Sequence, residues 1–232
     1  MRAILLAAGM GTRLRPLTEH TPKSLIEVNG KPLLERQIEA LLEIGINEII
    51  VVTGYLKEKF DYLVDKYNVK LVHNDKYNLY NNIYTMYLVK DYLRDSYVID
   101  ADVYINKNFL KNEMKYSTYF SEYKVGFKDE WKIIYGEDNG IKDIDVTSGD
   151  GHILCGVSYW NEEDGDFIVN KLSEKIKDSN FTDLYWDNIV KENIKNLNVK
   201  IEKLEQDSIF EIDNLVELED VKKRLDLVNY QK

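Results

Sequence analysis

The residues best equipped for chemistry begin close to the N-terminus. Leu6-Ala-Ala-Gly-Met-Gly-Thr-Arg-Leu-Arg-Pro-Leu-Thr18 follows a short apolar stretch, and Pro22-Lys23 lies just beyond. Glycines after a strand let the backbone approach phosphate oxygens closely, so that N–H groups can point at them. Arg13 and Lys23 add positive charge to the same segment. A Gly-x-Gly alone discriminates poorly, but two readings fall away. A Walker A loop needs Gly-Lys-Ser/Thr after four spacer residues, whereas Gly9 leads to Leu14-Arg15. A dinucleotide-binding turn needs a third small residue where Leu14 stands, followed by a helix that Pro16 would disturb. Two readings remain: a loop that cradles an anion, or a turn with solvated basic residues.

Carboxylates come next. Asp100-Ala-Asp102 closes an apolar run, and residues i and i+2 of a strand share a face. A carboxylate at a strand's C-terminal end is well placed for Mg²⁺, which takes one or two carboxylates plus substrate phosphates and water. Asp100 reads equally as a turn residue or an outer partner. Asp213, in Glu211-Ile-Asp213 before the last helical stripe, could instead cap that helix.

A third set is aromatic: Trp131 and Tyr135 in a β-like region, and Tyr185-Trp186-Asp187 at the start of a late helix. A quaternary ammonium cannot donate hydrogen bonds, so proteins hold it with aromatic faces and a nearby carboxylate. With 17 tyrosines in the chain, the same aromatics could simply pack a core. Trp186 and Asp187 make the best pair for a cage, since an exposed Trp-Asp pair has little value as core. Asn81 and Asn82 offer amides to a base edge or a ribose, or cap the helix that follows.

These groups need a frame. Apolar runs at 2–7, 49–52, 69–72 and 97–100 read as buried strands, separated by helical stripes over 33–44, 56–67 and about 82–91, with Gly45 closing the first. The alternation predicts a doubly wound, Rossmann-like α/β fold with a mixed, mostly parallel sheet and ligands beyond the strand C-termini. Residues 117–160 change character. Short runs at Thr118–Tyr123, Trp131–Tyr135 and Ile153–Tyr159 suggest antiparallel strands added to the sheet as a substrate-binding wall. Helices follow at about 164–177 and 183–194, then strand-like 198–203 and 208–212. A helix at about 215–228 carries its acids early and its bases late. With no linker or repeat, one domain over 1–232 is expected.

Composition narrows the partners. A net charge of −10 argues against nucleic acid, whose binding draws on surplus Lys and Arg. Within residues 1–25, however, Arg2, Arg13, Arg15 and Lys23 face one acid, Glu19, which suits a small anionic ligand. Cys155 is the only cysteine, so no internal disulfide can form and a reducing, cytoplasmic setting is expected. The three histidines have no zinc-ligand spacing. The first apolar run is too short for a signal peptide and no stretch reaches the roughly 20 apolar residues of a membrane span. A soluble protein with no membrane partner is expected, as monomer or homo-oligomer.

Leu6–Thr18, then Thr21-Pro-Lys-Ser-Leu25, then Val28-Asn-Gly-Lys-Pro-Leu-Leu-Glu35 together resemble the signature of the sugar-phosphate nucleotidyltransferase superfamily. The resemblance implies that Leu6, Ala7, Ala8, Gly9, Met10, Gly11 and Thr12 wrap the triphosphate and base. It also implies that Asn81, Asn82 and Ala101 face the nucleotide, that Arg13 and Lys23 neutralise phosphate at the reacting centre, and that Asp102 and Asp213 hold Mg²⁺. Attack of one phosphate on another needs positioning and cations rather than a covalent nucleophile, which agrees with this set.

A narrower resemblance is to bacterial CTP:phosphocholine cytidylyltransferases. It runs through Gly54–Leu63, Asn74–Tyr77, Tyr80–Asn82, Tyr97–Asp102, Gly156–Ser158, Asp183–Asn188 and Ser208–Asp213. It implies CTP and phosphocholine as substrates, with Trp131, Tyr135, Tyr185, Trp186 and Asp187 as the choline-binding candidates. The chain's length suggests no fused kinase domain. The alternatives are a nucleotidyltransferase for a sugar phosphate or aminoethylphosphonate, and a non-catalytic nucleotide sensor that kept the fold.

Overall fold

The computed structural model describes residues 1–178 and 180–229. In chain order the first half comprises β1 (Arg2–Ala7), β2 (Glu27–Val28), β3 (Lys31–Pro32), α1 (Leu33–Glu43), β4 (Ile49–Thr53), α2 (Tyr62–Tyr67), β5 (Lys70–His73), α3 (Asn82–Leu88), β6 (Ser96–Asp100) and β7 (Val103–Ile105). The second half comprises β8 (Ser117–Ser121), β9 (Tyr123–Tyr135), β10 (Ile141–His152), β11 (Val157–Trp160), α4 (Glu162–Lys175), α5 (Asp187–Asn193), β12 (Val199–Lys203), β13 (Ile209–Glu211) and α6 (Leu215–Asn229).

Seven strands form the central sheet in the order β12-β8-β11-β6-β1-β4-β5. β1 runs parallel to both β4 and β6, β4 to β5, and β8 to β12; β11 is antiparallel to both its neighbours. The mostly parallel α/β architecture expected from the strand–helix alternation is therefore present. The near-continuous apolar character of β1 and β4 follows from burial on both faces. Ala3, Leu5 and Ala7 pack with Leu34, Ile38 and Leu41 of α1 on one side. Ile4, Ile50 and Val52 pack with α3, α4 and α5 on the other.

A third cluster lies beside the sheet. Leu218, Val221 and Leu225 of α6 cover Leu14, Val28, Leu33, Tyr104 and Ile212. It clamps the glycine-rich loop against the segment that follows β13.

Two expectations change in detail. The stripe over 56–67 is divided: Leu56 takes a left-handed conformation (φ 51°), Lys57–Phe60 form a 3₁₀ turn, and only Tyr62–Tyr67 are α-helical. In the 117–160 region, only β11 enters the main sheet antiparallel. β9 and β10 form a separate two-stranded ribbon with register shifts near Ile141, Gly149 and Gly151. The ribbon is fastened back by a bridge between Lys132 and Ile153 and by donation from Leu154 N to the Trp131 carbonyl at 2.9 Å. It still walls the cleft beyond the sheet, through Glu130 and Trp131.

Candidate functional site

β1 stops at Ala7, and the loop that follows turns over the C-terminal edge of the sheet. Gly11 is its tightest point. Its φ is +59°, and a Cβ there would come within 2.8 Å of the Lys23 Cβ, so the position both adopts a left-handed backbone and seats Lys23. The Thr18 hydroxyl donates to the Gly11 carbonyl at 2.8 Å, holding the two arms of the loop together. Leu14 is fully buried in the third cluster, while the neighbouring Arg13 side chain stays 69% exposed. Gly9 faces open space: a Cβ added there meets nothing within 4 Å, so backbone is accessible to a ligand.

Four charged side chains meet beside this loop. Lys23 Nζ donates to Asp102 Oδ2 and to Asp213 Oδ1, both at 2.7 Å. Arg13 adds an ion pair to Asp213 Oδ1 at 2.8 Å. The two aspartates are far apart in sequence, and β7–β13 pairing joins them. Val103 pairs with Glu211 in that two-stranded sheet, and Ile212 N donates to the Asp102 carbonyl at 3.2 Å. Burial opposes the charge on Lys23, but Asp102 and Asp213 outweigh it and hold the ammonium above its ordinary value. Burial would raise Asp213, yet Lys23 and Arg13 keep its carboxyl below the usual range.

Two carboxylate oxygens thus converge on one cationic point. That donor set fits a divalent magnesium ion, which is content with one or two carboxylates and takes its remaining oxygens from phosphates and water. Among the described residues no three His, Cys, Asp or Glu side chains converge to hold a metal ion by themselves.

The loop and the aspartates border two adjoining clefts. One, of about 310 Å³, is lined by Leu6, Ala7, Gly9, Gly11, Thr12, Arg13, Lys23, Asn81, Ala101, Asp102 and Asp213, with Ser24. The other, of about 360 Å³, shares Leu6, Gly9, Arg13, Asn81, Asp102 and Asp213, adds Ala8 and Asn82, and extends to Trp131, Tyr185 and Asp187. Of the loop residues expected at the nucleotide, Met10 lines neither cleft. Asn81 is the N-cap of α3. Its Oδ1 accepts from Asn82 N at 2.8 Å and its Nδ2 donates to the Asp183 carbonyl at 3.3 Å. Asn82 Oδ1 accepts from Trp186 N at 2.8 Å. Both amides therefore tie α3 to the segment before α5, while still bordering the cleft.

At the far end, Trp131 and Tyr185 meet edge to face, with ring centroids 6.1 Å apart. Lys191 Nζ lies 5.9 Å from the Trp131 centroid, so this indole already attracts a cation. Asp187 Oδ1 accepts from the Tyr119 hydroxyl at 2.7 Å, and burial lifts its carboxyl to about 6 despite that bond. Asp100 is pushed well above the carboxylate range, by burial first and then by the charges of Asp102, Asp187 and Glu211. Burial likewise takes Glu211 up to about 8, with Lys124 the main influence in the opposite direction.

Residues 2–125 match the family model described as "Nucleotidyl transferase". The chain belongs to the nucleotidyl transferase family. This nucleotidyl transferase is 55% identical over 215 residues to the choline-phosphate cytidylyltransferase of Streptococcus pneumoniae, covering 93% of this chain and 94% of that one. It is 41% identical over 217 residues to the choline-phosphate cytidylyltransferase of Haemophilus influenzae, covering 93% of each. The solved structure of CTP:phosphocholine cytidylyltransferase from Streptococcus pneumoniae superposes with a TM-score of 0.95 at 54% identity, covering 97% of this chain and 98% of that one.

Two of the aromatic expectations for this nucleotidyl transferase do not hold. Trp186 is 2% exposed and packs edge-on against Trp160, 5.6 Å between centroids, so it belongs to the core and not to an exposed Trp-Asp pair. The reason is packing: at the entry to α5 its ring joins the buried apolar cluster with Trp160, Ile189 and Val190. Tyr135 shares a strand face with Trp131 but lies four residues on, up to about 13 Å along β9. It packs against His152 and beneath Lys203 Nζ, at 5.7 and 4.5 Å, and lines neither cleft.

Other residues were not singled out from the sequence. Glu211 lines the larger cleft and sits two residues before Asp213, where strand alternation could have revealed it. Glu130, next to Trp131, and Tyr77 and Tyr80 also line it. The tyrosines lie in a loop whose sequence carries no periodic signal.

Proposed function

We propose that this nucleotidyl transferase moves the cytidylyl group of CTP to phosphocholine, giving CDP-choline and pyrophosphate. The observation that carries the reading is two adjoining clefts of different chemistry. Arg13, Lys23, Asp102 and Asp213 all line the smaller, whereas Trp131, Tyr185, Asp187 and Glu211 line only the larger. A dipolar acceptor, with phosphate at one end and a quaternary ammonium at the other, matches that polarity. The names of the two bacterial relatives support the same acceptor and nucleotide.

In the reaction an oxygen of the acceptor phosphate attacks the α-phosphorus of CTP. A new P–O bond forms as the bond from the α-phosphorus to the α,β-bridging oxygen breaks, and pyrophosphate leaves with that electron pair. The loop from Leu6 to Thr12 offers backbone to the triphosphate. Arg13 and Lys23 neutralise oxygens that gain charge in the transition state, an electrostatic contribution that needs no proton transfer. Nucleotidyl transferases typically use Mg²⁺. In this chain Asp102 and Asp213 would hold the ion, which when bound offsets the negative charge of the phosphates. Trp131 and Tyr185 present aromatic faces to the trimethylammonium, and Asp187 and Glu211 supply its counter-charge. That position anchors the acceptor so that its phosphate lies toward the α-phosphorus.

The test is pyrophosphate release by the purified chain from CTP and phosphocholine, with and without Mg²⁺. Release should require the metal and both substrates. It should fall sharply when UTP replaces CTP or aminoethylphosphonate replaces phosphocholine, because a primary amine wants hydrogen-bond acceptors rather than aromatic faces. Tight CTP binding with no pyrophosphate would mark a nucleotide sensor instead and overturn the proposal.

A further inference from the structure

α1 buries a polar side chain among apolar ones. Gln37 is fully buried between Leu34, Ile38 and Leu41 and takes no part in either cleft. Its amide nitrogen donates to two backbone carbonyls at once, Asp100 at 3.0 Å and Val103 at 2.7 Å. Those carbonyls bracket the two-residue connection, Ala101-Asp102, between β6 and β7. Asp102's own carbonyl is fixed separately by Ile212 N, at 3.2 Å. Three of the four carbonyls from 100 to 103 are therefore pinned, two of them by one side chain from a helix below.

The arrangement is not what core packing alone would select. Gln37 Oε1 is buried with no partner, an unfavourable state that an apolar residue at this position would avoid. What the amide supplies in exchange is placement of a peptide segment. That segment carries Asp102, whose Oδ2 must face Asp213 Oδ1 across a single cation.

We infer that Gln37 is a positioning residue for the metal carboxylate: it acts through the backbone of residues 100–103 to set the direction of Asp102. The inference rests on the reading of Asp102 as a magnesium ligand. Groups that orient a ligand from behind typically contribute tenfold to a hundredfold in metal affinity.

The experiment uses the full chain and Mn²⁺ alone as the probe, with free ion measured by electron paramagnetic resonance, alongside thermal melting and steady-state rates. Gln37→Met keeps length but removes both donors. It should weaken Mn²⁺ binding about tenfold to a hundredfold. The Mg²⁺ needed for half-maximal rate should rise by a similar factor, with KM for phosphocholine within about twofold of wild type. Leu41→Ala, on the same buried face of α1, should lower the melting temperature at least as much and leave Mn²⁺ binding unchanged. Gln37→Asn, whose amide is one methylene too short, carries the same expectation if the Met variant does not fold. Unchanged Mn²⁺ affinity in the Gln37 variants, or an equal loss in Leu41→Ala, overturns the inference. Asp102→Asn separates the two layers. Wild-type Mn²⁺ binding in that variant sinks the metal reading and the inference with it, whereas loss there without loss in the Gln37 variants sinks the inference alone.

Discussion

The two ends of the proposed site handle charge in opposite ways. At the end proposed to hold phosphate the ion pairs are already made: Lys23 bridges Asp102 and Asp213, and Arg13 joins Asp213. Charge there is present and balanced before any substrate arrives. At the end proposed to hold the ammonium, burial raises the carboxyls, Asp187 to about 6 and Glu211 to about 8. A cation entering that end stabilises the ionised carboxylates, so ionisation and binding are linked. The difference teaches how a site can favour a dipolar acceptor: one end exchanges existing ion pairs, and at the other a bound cation favours the ionised form of carboxyls that burial has raised.

The comparison can be broken most severely at the boundary between cage and core. Trp186→Ala should destabilise the fold by about 3–5 kcal/mol in denaturant titrations, the usual range for removing a buried Trp. A variant of wild-type stability that lost only phosphocholine binding would move Trp186 into the cage and redraw the ammonium end. Next in size, Lys23→Ala should lower kcat by about 10²- to 10³-fold in a pyrophosphate-release assay. Near-normal turnover would remove the phosphate end's claim to the chemistry.

A smaller effect sharpens the contrast. Trp131→Ala should raise KM for phosphocholine about tenfold and leave KM for CTP unchanged, as expected for one desolvated cation–π contact. Equal changes in both constants would mean that the indole only supports the ribbon. The smallest effect concerns pH. A carboxyl lifted to about 6 is ionised above that value and neutral below it. Inhibition by tetramethylammonium, which has no phosphate to titrate, should therefore weaken about threefold to tenfold between pH 7 and pH 5. The Asp187→Asn variant should show a flat profile over the same interval, and a wild-type profile equally flat would remove Asp187 from the ammonium end.

The phosphate end was largely legible in the sequence because it is built from a contiguous loop. Gly9, Gly11, Arg13 and Lys23 lie within one stretch, and Asp102 sits two residues beyond a strand whose apolar run is plain. The ammonium end draws single residues from β9, the α5 entrance and β13, so no local pattern announces it. Trp186 misled for a specific reason. Residue type suggested a cage, but whether an indole at a helix start points inward or outward depends on which neighbours the core leaves room for. The ribbon was only partly readable: residues 124–130 and 141–152 are rich in charge and glycine, because much of that hairpin faces solvent. The strand order, with β11 wedged antiparallel between β6 and β8, depends on long-range pairing that periodicity does not encode.

The pairing of β7 with β13 has a consequence for biosynthesis. Asp102 leaves the ribosome long before Asp213, and their meeting requires the later strand to dock on the earlier one. Until then the growing polypeptide has only one of the two aspartates that meet at Lys23. A chain synthesised only part-way therefore lacks the strand that brings Asp213 beside Asp102.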